Sequence, residues 1–406
     1  MDQFQSRITR YAVAGLCGLA LLLVIACLTL RESPSPSPEP PPVRAITVSP
    51  SVPFSTPDNT PPRETPTNTV AESVPIPTNA ATTYRQAFAI FDALSKDQKD
   101  LLRDWRTNVD MSVAAELCEK IQPICDLMHQ AAAATNCDWE LEQPITFTNG
   151  LPDLTHCRSV ARAAVWSVVH CRTGAPSAAV DDLVAASRLG QNLPVPTLIG
   201  HLVDLAIQGM VIDSLAANAS VLAIANDPRL AELFNESNYN QGLRHAIEQE
   251  ADIQDREIDR LAALPPEEAV RRLMSQGEIS PTGLAQYFAM VRQAAELQRQ
   301  YAQTLELPEA EYRAWLADQT AVRKTNPFVD SLFSAFENAV AKTQAMTVRN
   351  AMAAAGLAVM RDGPDALQSH PDPTTGQPFA YKKTADGFEL ESNFQVLDKS
   401  LKLSFK

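Results

Sequence analysis

Between Tyr11 and Leu30 the chain runs for twenty residues without a charge (YAVAGLCGLALLLVIACLTL). As a helix rising 1.5 Å per residue, such a run reaches ~30 Å, the thickness of a bilayer's hydrocarbon core. It predicts a transmembrane helix that anchors the chain. Arg7 and Arg10 precede it, whereas Arg31 is offset by Glu32. The excess of cations on the N-terminal side places that end in the cytoplasm and the bulk of the chain outside it.

The same residues fit a second anchor chemistry. Val24-Ile25-Ala26-Cys27 resembles the bacterial lipobox, in which Cys27 would carry lipid and become the mature N-terminus. Against it, Leu28 to Leu30 prolong the apolar run, whereas a cleaved signal is shorter and gives way to polar residues. Length favours the span, and both readings attach the domain to the far side of the membrane. Cys17 and Cys27 otherwise serve as apolar filler.

Residues 31–82 hold fourteen prolines, with SPSPSPEPPP at Ser33 to Pro42, and few large apolar side chains. Such a stretch cannot bury enough surface to offset chain entropy, so it reads as a disordered linker. Polyproline II geometry at ~3.1 Å per residue lets it hold a domain tens of ångströms from the bilayer. The chain thus divides into an anchor (1–30), a tether (31–82), an α-helical domain (83–362) and a small β-hairpin module with a tail (363–406).

The formal net charge of −14 over 406 residues, with Lys and Arg scattered, disfavours nucleic acid as a partner. From about Asn79, Ala, Leu and charged residues recur at helical spacing. Tyr84, Ala87, Phe88, Phe91 and Leu94 form one stripe, Ser95 is placed to cap the next helix, and Leu101, Leu102 and Trp105 extend the apolar face. Helices are expected over 112–134, 151–173, 197–219, 228–262, 266–275, 281–304, 308–319 and 328–361. Between the first two, Cys137-Asp138-Trp139 to Gly150 has β-like and turn character. QEADIQDREIDR, from Gln249 to Arg260, is charged nearly all round and reads as a solvated stretch. NAMAAAGLAV, from Asn350 to Val359, is too short to span a bilayer and reads as a packed core helix.

The small and aromatic positions Ala163, Trp166, Ser167, His170, Gly174, Ala179, Leu183 and Ala186 follow tetratricopeptide-like spacing. They imply one helical hairpin, or ordinary α-packing of two adjacent helices. No second copy lies at the 34-residue period, so a regular superhelix is not expected.

After Gly363 the period changes from helix to strand. Phe379 and Tyr381, then Phe388 and Leu390, flank Asp386-Gly387 as a hairpin. Asp372-Pro373, Gly376, Pro378, Phe379 and Tyr381 resemble the DPxGxPYxY segment near the end of G-type pseudopilins of type II secretion. Glu391-Ser392-Asn393-Phe394 stands where that family's calcium-binding loop would lie, which argues against calcium. The N-terminus lacks the prepilin processing motif, so the chain is not itself a pilin. The order of parts, with the Cys-Asp-Trp segment in the helical body, also resembles an uncharacterised bacterial membrane-anchored family. That resemblance implies a shape without an activity.

Five cysteines outside the anchor, Cys118, Cys125, Cys137, Cys157 and Cys171, fall in one 54-residue stretch. In an oxidising compartment only cross-helix pairs could form, for example Cys125 or Cys118 with Cys157, and the odd number leaves one free. Buried thiols without a bridge fit equally well. Histidine and acid recur three residues apart: Asp126 with His129, Asp153 with His156, His201 with Asp204, His245 with Glu248. Two such pairs make half of a ferritin-like di-metal set, but the inward glutamates of the other half have no assignment. The pairs therefore read as ion pairs on helix faces. No nucleotide, metalloprotease or nucleophile-elbow motif occurs, so no cofactor or metal is expected; catalysis is not thereby excluded, but an enzyme reading has no catalytic residue to name.

The reading that follows is a mainly α, membrane-tethered extracytoplasmic scaffold that engages a protein or envelope component. An envelope hydrolase or metal-dependent enzyme using the His/acid pairs is the alternative.

Overall fold

Asn79 begins the helical body because its side chain accepts the Ala81 N–H at 3.1 Å and so serves as an N-cap. In a computed structural model of the chain, the structure describes residues 78–106, 109–141, 151–172, 174–193, 197–223, 227–235, 238–273, 283–396 and 399–406. The expected anchor at Tyr11–Leu30, Cys27 and the tether up to residue 77 lie outside these residues; the last expected tether residues, 80–82, instead form the first turn of a helix with Ala80 and Ala81 buried.

Helix α1 (Ala80–Ala93) buries Tyr84, Ala87 and Phe88, the stripe expected from spacing. A capping box formed by Ser95 and Gln98 then starts α2 (Lys96–Arg103). Helices α3 (Met111–Ala132), α4 (Leu151–His170), α5 (Pro176–Gln191) and α6 (Leu198–Ala217) follow. α4 and α5 pack as the expected helical hairpin, and both also contact α3 and α6. α6 is long and apolar enough by composition to cross a bilayer, but 67% of its apolar window is buried against other parts of the domain. It is a core helix.

The body continues through α7 (Ala219–Ala223), α8 (Pro228–Asn235), α9 (Tyr239–Ala262), α10 (Pro266–Leu273), α11 (Leu284–Thr304), α12 (Glu309–Asp318), α13 (Thr320–Thr325) and α14 (Pro327–Asp362). The single helix expected over 228–262 is two helices, because Asn238 caps a fresh start by accepting the Gln241 N–H.

The charged run in α9 departs from expectation. Glu250, Ala251, Ile253, Gln254 and Ile258 are buried, and only the opposite side meets solvent. There Asp252 and Asp255 pair with Arg299, and Asp259 pairs with Arg292, all across to α11. The run contains a helical apolar stripe that its dense charge conceals.

A 3₁₀ turn (Pro364–Ser369) leads into strands β1 (Ala380–Lys383), β2 (Phe388–Val396) and β3 (Lys399–Phe405). They form an antiparallel sheet in sequence order, with a register irregularity between Glu391 and Gln395. The expected hairpin is β1–β2, and the supposed tail supplies a third strand. Phe379, Phe388, Leu390, Leu403 and Phe405 belong to the same buried cluster as the helices.

Candidate functional site

The most concentrated buried charge lies where α3, α4 and α5 meet. Asp182 on α5 is fully buried. Its carboxylate lies 2.8 Å from His129 Nε2 on α3 and accepts Arg172 Nε at 2.9 Å from just beyond α4. Burial opposes ionisation of Asp182, but these bonds outweigh it and hold the carboxyl below its usual range. The same pair raises the Arg172 guanidinium, chiefly through the Asp182 hydrogen bond.

A carboxylate orienting an imidazole is the arrangement a general base requires. A nucleophile is also needed. The nearby candidates are Ser167, which is 1% exposed and bonds to the same carboxylate, and Cys125, which is 0% exposed. Burial pushes the Cys125 thiol far up, away from the reactive thiolate. The geometry therefore fits a three-helix pin better than a reacting centre.

Beside the pin, Cys118 on α3 and Cys171 form a disulfide, with Cα atoms 5.6 Å apart. The bridge is cross-helix as expected, but its partner is Cys171 and not Cys157. Cys171 lies just past the end of α4, where the chain turns back toward α3, while Cys157 is 0% exposed within α4 and free. Cys125 and Cys137 are also free.

The Cys-Asp-Trp segment is a clasp. Asn79 donates to the Asp138 carbonyl at 2.8 Å and accepts the Asp138 N–H at 2.9 Å. Trp139 stacks on Tyr84 and Phe88, and its indole donates to the Asn192 carbonyl at 2.7 Å. The Cys137 thiol donates to that same carbonyl at 3.6 Å, and burial pushes it up to about 11. Residues 137–141 form no strand, contrary to their β-like composition. Their backbone instead serves α1 through Asn79 and Arg85, while the Cys137 and Trp139 side chains serve the end of α5.

The other His/acid pairs separate. His156 reaches Asp92 at 3.1 Å, while Asp153 pairs with Arg85. His201 bonds the Thr343 hydroxyl at 2.9 Å across to α14, while Asp204 accepts from Gln208. His245 is exposed, and Glu248 pairs with Arg244. Asp126 accepts from Gln122, leaving His129 to Asp182. None of the four pairs forms the ion pair within its own helix that the spacing suggested. Among the described residues, no three His, Cys, Asp or Glu side chains converge as a metal site would need.

Around α6, two acids accept neutral hydrogen bonds and pair with no cation among the described residues. Glu250 accepts the Leu198 N–H at 3.0 Å, capping α6 from α9, and burial raises its carboxyl to about 7. Burial likewise raises Asp204 to about 6 and lowers His201 to about 4.

In the C-terminal turn, Asp372 accepts Ser392 Oγ at 2.5 Å and both the N–H and hydroxyl of Thr374. Burial opposes its charge, yet these donors hold it below the usual carboxylate range. Its lone pairs serve the turn, which gives the Asp-Pro-x-x-Gly segment a structural role.

Two of the functional side chains missed by spacing carried a signal. Asp182 interrupts the apolar face of Ala179, Leu183 and Ala186, and Glu250 sits on the face of Ala246, Ile247 and Ile253. An acid inside an apolar stripe marks a buried carboxylate. Arg172 and Thr343 carried none.

The chain matches no protein-family model, no curated protein and no solved structure.

Proposed function

We propose that this chain is a membrane-tethered helical scaffold, a protein-interaction module displayed outside the cytoplasm on a proline-rich spacer. The observation that carries the location is the Cys118–Cys171 disulfide, since such bridges persist in oxidising compartments and are rare in the cytosol. The scaffold reading is supported by what the polar clusters do. Asp182, the Cys137–Trp139 clasp and Asp372 each spend their hydrogen-bonding capacity on the fold.

Protease added to intact spheroplasts should degrade the helical domain, and peptide mapping without reductant should recover Cys118 joined to Cys171. Protection in spheroplasts that is lost on lysis would overturn the outward placement.

The hydrolase reading rests on one observation, the Asp182-oriented imidazole of His129, whose side chain is 30% exposed. A turnover screen over ester, amide and glycoside substrates, comparing the full chain with His129→Ala, decides between the two. An activity lost on that substitution while thermal unfolding stays unchanged would replace the scaffold reading.

A further inference from the structure

Two short helices, α12 and α13, form a strap between α11 and α14 that buries none of its residues from 310 to 325. Among the described residues, every other stretch of that length in the helical body contributes at least one residue to the core. Neither strap helix begins with a side-chain cap, since Pro308 and Gln319 stand at those positions without one. Tyr312 and Trp315, three apart on one face of α12, rest on Tyr301 of α11 and Phe333 of α14.

The contacts are specific. The Tyr301 and Tyr312 hydroxyls are 2.8 Å apart, Trp315 stacks on Phe333 with centroids 5.7 Å apart, and Arg323 lies over the same ring while pairing with Asp330 and Glu337. Beneath, Tyr301, Phe333 and Phe336 are each 0–1% exposed and pack on one another. At the far end the strap meets a fixed point, because buried Asn326 donates to Met290 O and Gln293 Oε1. The near end is the turn closed by Leu307 N–H on Thr304 O, where Leu307 is exposed. An aromatic surface between two long helices is thus covered by a short helix whose Tyr312, Trp315 and Leu316 pack against the core while staying half-buried.

A helix presenting aromatic anchors at i and i+3 to an apolar groove is the helix-in-groove mode of peptide recognition, here satisfied within one chain. Segments with few buried contacts open at lower free energy than the core around them. We propose that α12–α13 is an intramolecular pseudo-ligand, and that the groove it covers receives an amphipathic partner helix carrying aromatic anchors three residues apart. The strap supplies the argument for that occupant, since it is a helix of this chemistry already seated there. The inference takes the scaffold reading as its premise and names that scaffold's partner site.

The test uses the full chain in detergent micelles. Native-state hydrogen exchange should show amides of 310–325 exchanging at least tenfold faster than those of α9, α11 and α14. A fluorescent peptide spanning residues 308–320 should bind the Tyr312→Ala/Trp315→Ala chain at least tenfold more tightly than the parent. The same peptide carrying both substitutions should not bind. Exchange of the strap only together with the whole domain in the parent would overturn the proposal, as would absence of peptide binding to a variant whose exchange elsewhere matches the parent. A cytoplasmic location found by protease mapping would sink the tethered reading and leave these measurements standing.

Discussion

Glu250 carries a cost that depends on pH. It caps α6 through Leu198, yet its Oε2 has no hydrogen-bond partner in the described structure, and its carboxyl is raised to about 7 by burial. A raised folded-state value means that the native state binds the proton more tightly than the unfolded chain, whose value is near 4.5. The stabilisation is fully present below that unfolded value and is lost as pH rises through about 7. Asp204, raised to about 6, acts in the same direction. His201, lowered to about 4, acts oppositely and costs stability as pH falls through that value. Glu250→Gln keeps the acceptor for Leu198 without the ionisable group. Urea unfolding at pH 5 and pH 8 should show the parent losing on the order of 3 kcal/mol more than the variant between those two conditions. Equal losses would mean that Glu250 is hydrated in the folded state and does not titrate as a buried acid.

At the scale of elements, the disulfide joins α3 to the end of α4, two of the three helices that the Asp182 pin fastens. Bridging residues 53 apart restricts the unfolded chain by an amount that loop-closure entropy puts at about 4 kcal/mol. Cys171→Ser should lower the urea midpoint accordingly, whereas Cys137→Ser, which removes only a weak thiol donor, should change it little. A Cys171→Ser midpoint equal to the parent's would place the bridge outside the cooperative unit. Element by element, the helices were legible because their apolar stripes recur every three or four residues, as at Tyr84, Ala87 and Phe88. The Ser95 cap was legible because its partner Gln98 is local. What escaped was set by distant residues. His129 shares a helix face with Asp126, but the fully buried Asp182 offers a desolvated carboxylate, and no spacing within α3 reveals that. The pairing of Cys118 with Cys171 was hidden for the same reason, because it depends on how the chain turns after α4. The β3 strand escaped because its alternation is confined to seven residues beyond the Asp-Gly turn signal.

Across the whole molecule, the sheet and the helices share one core, and α14 and α6 both meet the strands along a seam that includes one very close approach. Gly356 on α14 faces Phe405 of β3, and a Cβ built at Gly356 would lie 1.9 Å from that ring. The ring has little room to retreat, since it is stacked on Phe388 with centroids 4.8 Å apart. The backbone beyond it is fixed as well, because Lys406 N–H donates to Ala216 O and its carbonyl accepts from Ser220 N–H. Strand β3 is therefore pinned from three directions: by ring stacking, by strand pairing to β2, and by backbone bonds to the α6–α7 junction. Overpacking such a site costs about 1–3 kcal/mol, because the misfit must be absorbed by backbone shifts. Gly356→Ala should destabilise the whole domain by that amount in a single transition reported alike by helical circular dichroism and by Trp fluorescence. Adding Phe405→Leu should recover part of the loss by shortening the side chain at the clash. If Gly356→Ala instead melts the sheet in a separate early transition while the helical signal keeps its midpoint, the C-terminal strands are an appended module and not part of the common core. Parental stability in that variant would mean that β3 stands farther from α14 than this seam requires.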